Sequence, residues 1–301
     1  MTQTARDADP GALRFAGEVS DLHAAIRRHY DGLIDLYEEL WGEHIHHGYW
    51  EPGAPQADRH AAQVRMVDRL AAFGGVARSS RVADLGCGIA ATGIHLARTL
   101  DCRVDGVTLS AAQVRRGREK VSQAGVSGKV ELYLADALHT PLPERFYDVV
   151  WSLESCELMP DKLAFLREGH RLLKPGGELV VATWCSRDSS PTAQETALLR
   201  RIYRDFAAAY VLPLATYREL CAEAGFTEIE TADWTAQARA TWNLSADIVK
   251  PFVRNASYIW RLVREKGADT FRFLNSVPLM KKAYDQGLMH YGVFRARRPF
   301  A

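Results

Sequence analysis

The sequence predicts a Rossmann-like α/β fold, with a mostly parallel seven-stranded sheet and helices on both faces. Two observations support this prediction. Short apolar segments of strand length alternate with helical segments between Arg81 and Trp184, an order that is typical of parallel sheets. The first of these strands ends in the turn Gly86-Cys87-Gly88, and glycine-rich turns between a strand and a helix commonly bind a ligand.

An amphipathic helix precedes the sheet. From Leu22 to Trp41, apolar residues recur at steps of three and four, which is the period of a helix with one buried face. An aromatic loop broken by glycine follows at 44–50, and a second helix is expected over Asp58–Phe73. Residues 1–17 are rich in Asp, Ala, Gly and Pro and predict a flexible tail.

The strands and their connections set the expected domain order. Strands are expected at 81–85, 103–108, 130–134, 147–152 and 178–184, a sixth before Trp234, and a last one near 291–296. Ser110 is the expected N-cap of the helix after the second strand. We therefore predict a helical lid at 18–54 and a cofactor-binding core at 55–185. The rest of the sheet, with a helical insertion over the substrate, is expected at 186–301.

Composition limits the class of partner. The 301 residues contain 38 Lys and Arg against 37 Asp and Glu, so the chain has no broad positive field for phosphates, and we expect no nucleic acid partner. Five scattered cysteines without Cys-x-x-Cys spacing indicate reduced thiols and a cytoplasmic protein. No apolar run approaches the roughly 20 residues that span a bilayer, so we expect no membrane insertion. A homo-oligomer is left open.

The turn after the first strand indicates the chemistry of the ligand. A nicotinamide site favours Gly-x-Gly-x-x-Gly and an acidic residue about 20 positions further on. Here Gly88 and Gly93 are separated by four residues, and the second strand ends in Thr108. Asp84, beside the turn, instead suits a ligand that carries positive charge, such as S-adenosylmethionine with its ammonium and sulfonium groups.

Four motifs in order resemble those of class I S-adenosylmethionine-dependent methyltransferases. They are Val82–Gly88, Gly106–Ser110 with Gln113, Ala135-Asp136-Ala137, and Leu172–Gly177. Four further segments are similar to the tocopherol C-methyltransferase branch of that family: Tyr37–Trp50, Glu154-Ser155, Met159–Lys162 and Ala232–Thr235. The resemblance covers nearly the whole chain after residue 28.

The resemblance implies a set of cofactor-binding residues near the carboxyl ends of the strands and on the lid: Tyr30, Asp84, Gly86, Gly88, Thr108, Leu109, Gln113, Asp136 and Ala137. Within this set, Asp84 and the two glycines hold the methionine and ribose part of S-adenosylmethionine. Thr108, Leu109 and Gln113 contact ribose and adenine, and Asp136 accepts a hydrogen bond from the adenine amine. Tyr30, together with Trp41 and Trp50, is also a candidate to cover cofactor or substrate, or else to pack in the core.

Three residues are candidates for catalysis. Glu154 and Glu157 follow the fourth strand, where active sites of α/β proteins lie. Glu154 is the leading candidate for a general base. Glu157 and His47 are further candidates, His47 because an imidazole titrates near neutrality. The alternative for the glutamates is an exposed pair that opens a helix before Pro160.

Two further features limit the site. His44, His46 and His47 could suggest a metal, but no Cys or second His cluster completes a site, so none is predicted. Leu158 stands where plant tocopherol enzymes favour histidine, which argues against a tocopherol-like substrate.

These features together predict a C-methyltransferase for a small apolar natural product that is prenylated, terpenoid or aromatic. Abundant aromatic residues and few clustered cations in the C-terminal half favour such a substrate over a phosphorylated one. Within the same class, N- or O-methylation of an alkaloid or other secondary metabolite is the alternative. From other classes, the alternatives are a nicotinamide oxidoreductase, which Thr108 and the glycine spacing oppose, and a non-catalytic module that binds S-adenosylmethionine.

Overall fold

The computed structural model describes residues 18–51, 53, 58–255, 257, 260–261, 263–264 and 268–300. The tail predicted at 1–17 lies outside the described residues. The strands are β1 (Arg81–Leu85), β2 (Arg103–Thr108), β3 (Val130–Leu134), β4 (Tyr147–Leu153), β5 (Leu173–Ser186), β6 (Thr227–Asp233) and β7 (Met289–Arg297). The helices are α1 (Val19–Trp41), α2 (Arg59–Phe73), α3 (Ala91–Thr99), α4 (Ala111–Gln123), α5 (Lys162–Leu172), α6 (Ala193–Asp205), α7 (Leu214–Glu223), α8 (Thr235–Ala238), α9 (Ala240–Arg254) and α10 (Ala268–Asp285).

The strands form one seven-stranded sheet in the order β3-β2-β1-β4-β5-β7-β6. The pairs from β3 through β5 are parallel, whereas β7 is antiparallel to both β5 and β6. This arrangement confirms the predicted Rossmann-like fold. The order reverses between β1 and β4, and ligands of open α/β sheets bind beside such a reversal, at the carboxyl ends of the strands.

The central strands are apolar on both faces because helices cover both sides of the sheet. Neighbouring residues of β4 show this directly: Val150 packs into one buried cluster and Trp151 into the other, and neither is exposed. Burying such a side chain stabilises the fold by about 1.5–3 kcal/mol. The sheet edge that carries the loops is therefore a rigid base for a site.

Side-chain caps are present at two of the predicted helices, and the one at Ser110 was itself predicted. Asp58 accepts a hydrogen bond from the Ala61 amide at the start of α2, and Ser110 accepts one from the Gln113 amide at the start of α4. Each bond satisfies an amide that the helix itself leaves unpaired, which is worth about 1 kcal/mol. The Ser110 cap matters for function, because it fixes Gln113, whose side-chain oxygen accepts from the Thr108 hydroxyl at the end of β2 at 2.6 Å.

Two segments differ from the sequence prediction. Helix α6 was not predicted, although Thr192 and Glu195 form a complete capping box at its start. The segment 154–158 was offered as an exposed pair opening a helix, and this alternative is wrong. A short 3-10 turn covers Cys156–Leu158, and Glu157 is buried.

Helix α1 lies against α4 through a polar network. Arg116 on α4 pairs with Asp35 at 3.0 Å and also with Glu38, while Lys120 pairs with Glu38 at 2.9 Å. Single exposed pairs of this kind contribute roughly 0–1 kcal/mol each, so only the network as a whole fixes the helix. Helix α1 lies where a lid is expected, and its function as a lid stays a prediction. Within the part of the chain described here, no helix is long and apolar enough to cross a membrane.

Candidate active site

The turn after β1 is packed too closely for any residue but glycine at position 86. Gly86 has a φ of +103°, and a Cβ added there would lie 2.1 Å from the Ser155 Cβ. The Gly86 amide donates to the Val107 carbonyl at 2.9 Å, and the Ser155 hydroxyl donates to the Leu85 carbonyl. The turn is therefore fixed from both neighbouring strands.

Beside this turn is a pocket, which we call the outer pocket. Its empty space, counted together with the adjoining space that is open to solvent, is about 960 Å³. All nine cofactor-binding residues predicted from the sequence line it: Tyr30, Asp84, Gly86, Gly88, Thr108, Leu109, Gln113, Asp136 and Ala137. The structure thus brings the predicted set together, and their individual contacts with a cofactor stay predictions.

The charge of the outer pocket suits a cationic ligand. Its described lining contains no Lys or Arg, but it includes the carboxyl groups of Glu43, Asp84, Asp136 and Glu154. The Asp84 Oδ2 atom is buried without a hydrogen-bond partner among the described residues, and burial raises the pKa of this carboxyl to about 7. A buried orphan oxygen is costly unless a ligand satisfies it. An ammonium group, as in S-adenosylmethionine, fits this requirement.

Helix α1 supplies pocket residues that the sequence analysis missed. His23 and Ile26 line the outer pocket together with Tyr30, and the His23 Nε2 lies 3.9 Å from the Asp136 Oδ2. Asp136 is itself held by the Leu138 amide at 2.9 Å. The sequence could have indicated these two residues, since positions 23, 26 and 30 follow helical spacing and so share one face of α1.

A second cavity adjoins the outer pocket, and we call it the inner chamber. Its empty space, counted together with adjoining space open to solvent, is about 480 Å³. The two share Tyr30, Ile45, His46, Glu154 and Leu158. Six aromatic side chains line the inner chamber, and its described lining also lacks Lys and Arg: Tyr30, Tyr37, Trp41, Trp184, Phe206 and Trp242. Its wall is thus mainly aromatic, and its charged groups are carboxylates.

The three aromatic candidates from the sequence separate in the structure. Tyr30 and Trp41 line the inner chamber, as expected of residues that cover a ligand, but they also pack in or against the main buried cluster, so both alternatives describe them. Trp50 does not line the chamber; it packs in a small cluster with Ala62 and Ala240, so its core alternative is correct. Trp184, Phe206 and Trp242 were missed because they come from three distant parts of the chain.

Glu154 is held in an unusual conformation with all its hydrogen-bonding capacity filled. Its φ is +54°. The Oε1 atom accepts from the His47 amide at 2.7 Å and the Tyr291 hydroxyl at 2.8 Å; Oε2 accepts from His47 Nδ1 at 2.8 Å and Trp184 Nε1 at 3.3 Å. Burial alone would raise the pKa of Glu154, but the contacts with His47 lower it overall. The carboxylate is therefore ionised and stable.

Glu157 has the opposite environment. Its buried carboxyl accepts from the Thr183 hydroxyl at 2.9 Å, and burial, with repulsion from Glu154, raises its pKa to about 8. The Lys162 ammonium holds the turn that carries it, donating to the carbonyls of Cys156 at 2.6 Å and Met159 at 2.8 Å. At neutral pH the site therefore holds one ionised and one protonated carboxyl, a separation that is frequent at catalytic sites.

Comparison with known proteins identifies the family. A methyltransferase domain model matches residues 82–177. A probable tocopherol O-methyltransferase of the chloroplast from Oryza sativa subsp. japonica is 33% identical over 290 residues, which cover 90% of this chain and 76% of the relative. The chain belongs to the class I S-adenosylmethionine-dependent methyltransferases. Within that family it falls in the tocopherol methyltransferase branch, and its cofactor is S-adenosylmethionine.

A second relative agrees with the methyltransferase family, and a solved structure agrees with the fold. The 27-O-demethylrifamycin SV methyltransferase of Amycolatopsis mediterranei (strain S699) is 33% identical over 223 residues, covering 74% of this chain and 80% of that protein. Among solved structures, the [4+2]-cyclase SpnF has the same fold, with a TM-score of 0.79 and 24% identity over 92% of this chain and 96% of its own.

The histidines of the lid loop stabilise the methyltransferase site. His46 donates from Nδ1 to the His47 carbonyl at 2.8 Å, so its Nε2 accepts from the His44 Nδ1 at 3.0 Å. Burial lowers the pKa of His44 to about 2, which keeps this pair neutral. Among the residues described, no three His, Cys, Asp or Glu side chains lie where they could hold a metal.

Replacing Glu157 by glutamine should make the methyltransferase more stable than the wild type as the pH rises. A carboxyl whose folded-state pKa is raised to about 8 favours folding below its unfolded pKa and loses that contribution as the pH rises towards 8. Glutamine does not ionise, so its contribution to folding does not change with pH. We therefore expect the difference in unfolding free energy, variant minus wild type, to increase between pH 5.5 and 8. Urea denaturation at several pH values measures it, and a constant difference would contradict the raised pKa.

Proposed function

We propose that this methyltransferase methylates a carbon atom of a small apolar natural product, with a prenylated, terpenoid or aromatic acceptor. The inner chamber is the observation that supports this proposal. Its wall is aromatic, it adjoins the outer pocket, and its described lining lacks Lys and Arg. A phosphorylated acceptor would have to bury its negative charge beside the ionised Glu154, without a cation to pair with it.

The relatives support the general class of substrate. One is named for tocopherol and another for a rifamycin precursor. Neither name describes a phosphorylated metabolite. An apolar natural product is therefore the substrate class that agrees with both the chamber and the relatives.

The side chains of the chamber favour carbon as the methylated atom. Bound S-adenosylmethionine supplies an electrophilic methyl group, and an alkene or aromatic carbon that takes it up is left with positive charge on the substrate. Aromatic faces attract a cation through their quadrupole, and Glu154 adds a fixed negative charge in a water-poor space. Trp184 and Phe206 add apolar surface to the wall, and an apolar wall disfavours the water that would trap the cation.

The test uses S-adenosylmethionine labelled with ¹³C in the methyl group and a panel of acceptors. We expect transfer to a geranylated indole or a prenylated hydroquinone, and none to geranyl diphosphate. Mass spectrometry detects the transfer, and NMR of the product locates the methyl group on carbon. Methylation of geranyl diphosphate alone would contradict the proposed substrate class.

Oxygen is the second candidate for the methylated atom, because the names of two relatives specify O-methylation. Such a reaction needs a group that takes the hydroxyl proton but no stabilisation of a carbocation. A methyl signal at the chemical shift of a methoxy group would establish this alternative and remove the carbon assignment, while leaving the substrate class intact.

A further inference from the structure

We infer that His47, through its Nε2 atom, is the catalytic base of this methyltransferase and that Glu154 is a positioning residue that acts through His47. The inference rests on the proposed function, since it concerns the proton that an acceptor loses on methylation. It differs from the sequence prediction, in which Glu154 was the leading candidate for the base.

The hydrogen-bonding sites of the Glu154 carboxylate are already filled. An ionised carboxylate offers about four sites for hydrogen bonds, and four donors from His47, Trp184 and Tyr291 fill them. To accept a proton from a substrate, Glu154 would have to give up at least one of these bonds. Bonds of this charge-assisted kind are stronger than those between neutral groups, so the carboxylate is better suited to hold its neighbours than to act as a base.

The contact with Glu154 decides the form of the His47 ring. The carboxylate can only accept, so the 2.8 Å contact places a proton on His47 Nδ1. In the neutral ring the other nitrogen, Nε2, then has a free lone pair. A carboxylate on the far nitrogen both orients an imidazole and stabilises it once it is protonated, as in hydrolases with a Ser-His-Asp arrangement.

The His47 Nε2 atom is an unused hydrogen-bond acceptor of the inner chamber. His47 is 2% exposed and lines the chamber, and its Nε2 has no hydrogen-bond partner among the described residues. A buried acceptor without a partner destabilises the fold unless a ligand satisfies it. The ring also cannot turn away, since the rings of Trp242, Tyr284 and Tyr291 lie around it with centroids 4.9–5.9 Å distant.

The proton transfer balances without another reactant. Once a substrate carbon carries the new methyl group, the neighbouring carbon is positively charged. A C–H bond next to that cation breaks, its proton bonds to His47 Nε2, and its electron pair becomes a double bond of the neutral product. The imidazolium is paired with Glu154 until the proton passes to water. For a hydroxyl acceptor, the same nitrogen would take the O–H proton.

Glu157 is the competing base, and its environment makes it less suitable. It lines the same chamber, but with a pKa raised to about 8 most of it is protonated at neutral pH. A protonated carboxyl has to lose its own proton before it can accept one from a substrate. Glu157→Gln is therefore the variant against which the role of His47 is compared.

The first test needs no substrate. Protein with ¹⁵N-labelled histidine is examined by long-range ¹H–¹⁵N NMR at pH 7.5, and His47→Gln identifies the signals. We expect the proton of His47 on Nδ1 and no proton on Nε2. We expect this preference for one tautomer to weaken in Glu154→Gln. A ring protonated at Nε2 in the wild type would overturn the assignment.

The second test is chemical rescue, with whichever acceptor of the panel the wild type methylates. His47→Ala should lower kcat by about 10²-fold or more, as for a lost general base, while S-adenosylhomocysteine affinity stays within about threefold. Added imidazoles should restore turnover, and the restored rate should increase with the pKa of the imidazole. A merely structural role of His47 would not produce this dependence. His47→Gln, which fills the space, should resist rescue.

The outcomes separate the two proposals. The role of His47 as the base is contradicted if the His47→Ala variant keeps its turnover within about threefold of the wild type. It is also contradicted if the rate of rescue does not depend on the pKa of the added imidazole. If kcat falls strongly in Glu157→Gln and only slightly in His47→Ala, the catalytic base is Glu157. If the wild type methylates no acceptor of the panel, the proposed function fails, and the NMR experiment still decides the His47–Glu154 pair.

Discussion

Gly86→Ala is expected to abolish measurable binding of S-adenosylmethionine and S-adenosylhomocysteine. The φ of +103° is strained for any residue with a side chain, and the new Cβ would overlap the Ser155 Cβ. Ser155 cannot retreat freely, because its hydroxyl is bonded to the Leu85 carbonyl and lies 2.7 Å from the Ser152 hydroxyl. The turn has to move instead, and it forms the floor of the outer pocket.

Isothermal titration calorimetry with S-adenosylhomocysteine measures this loss, and circular dichroism checks that the variant is folded. Gly128→Ala is the matched control, since its added Cβ would meet nothing within 4 Å and its φ is not in the left-handed region. We expect the control to bind as the wild type does. A folded Gly86→Ala protein that binds within about tenfold of the wild type would contradict the assigned role of the turn.

The affinity for S-adenosylhomocysteine should rise with pH and level off near pH 7. The orphan Asp84 carboxyl has a pKa raised to about 7 by burial, so below that pH it is mainly neutral in the free protein. The ammonium group of the ligand favours the carboxylate form, and binding therefore releases a proton. Linkage then predicts an affinity that increases by up to about tenfold per pH unit below the free pKa.

Asp84→Asn should remove this pH dependence and weaken binding at pH 8 by at least about tenfold, as for a lost hydrogen bond to a charged group. Calorimetry at pH 6, 7 and 8, in two buffers of different ionisation enthalpy, measures both the affinity and the released proton. Asp161→Asn is the control, because Asp161 is exposed at the start of α5 and asparagine caps a helix equally well. An unchanged pH slope in Asp84→Asn would show that another group titrates.

The parts of the site that are local in sequence could be predicted from it. The turn at Gly86 and the cap at Ser110 each depend on a few consecutive residues, whose backbone requirements are visible in the residue types. The resemblance assigned Asp84 and Asp136 to the cofactor, and both lie in one pocket because the carboxyl ends of parallel strands meet at one edge of the sheet. Helix α6 could have been predicted as well, since Thr192 and Glu195 have capping-box spacing.

The inner chamber could not be predicted, because its contacts join residues far apart in the chain. His47 and Glu154 are separated by 107 positions, and Glu154 and Tyr291 by 137. A sequence pattern shows that a glutamate follows a strand, but not which donors surround it. The protonation of Glu154 and Glu157 depends on those donors, so the choice of base needed the three-dimensional arrangement. Trp50 illustrates the same limit, since an aromatic residue near the site packs in a core.

Strand β7 inserts between β5 and β6, and this position has a consequence for protein synthesis. β5 and β7 pair across about a hundred residues, and β6 contacts the sheet only through β7. A nascent chain that has not yet released Met289–Arg297 from the ribosome therefore lacks two strands, and it also lacks Tyr291, one of the donors that fix Glu154. An interrupted translation product should then be inactive and should expose apolar β5, which makes it a ready target for chaperones and proteases.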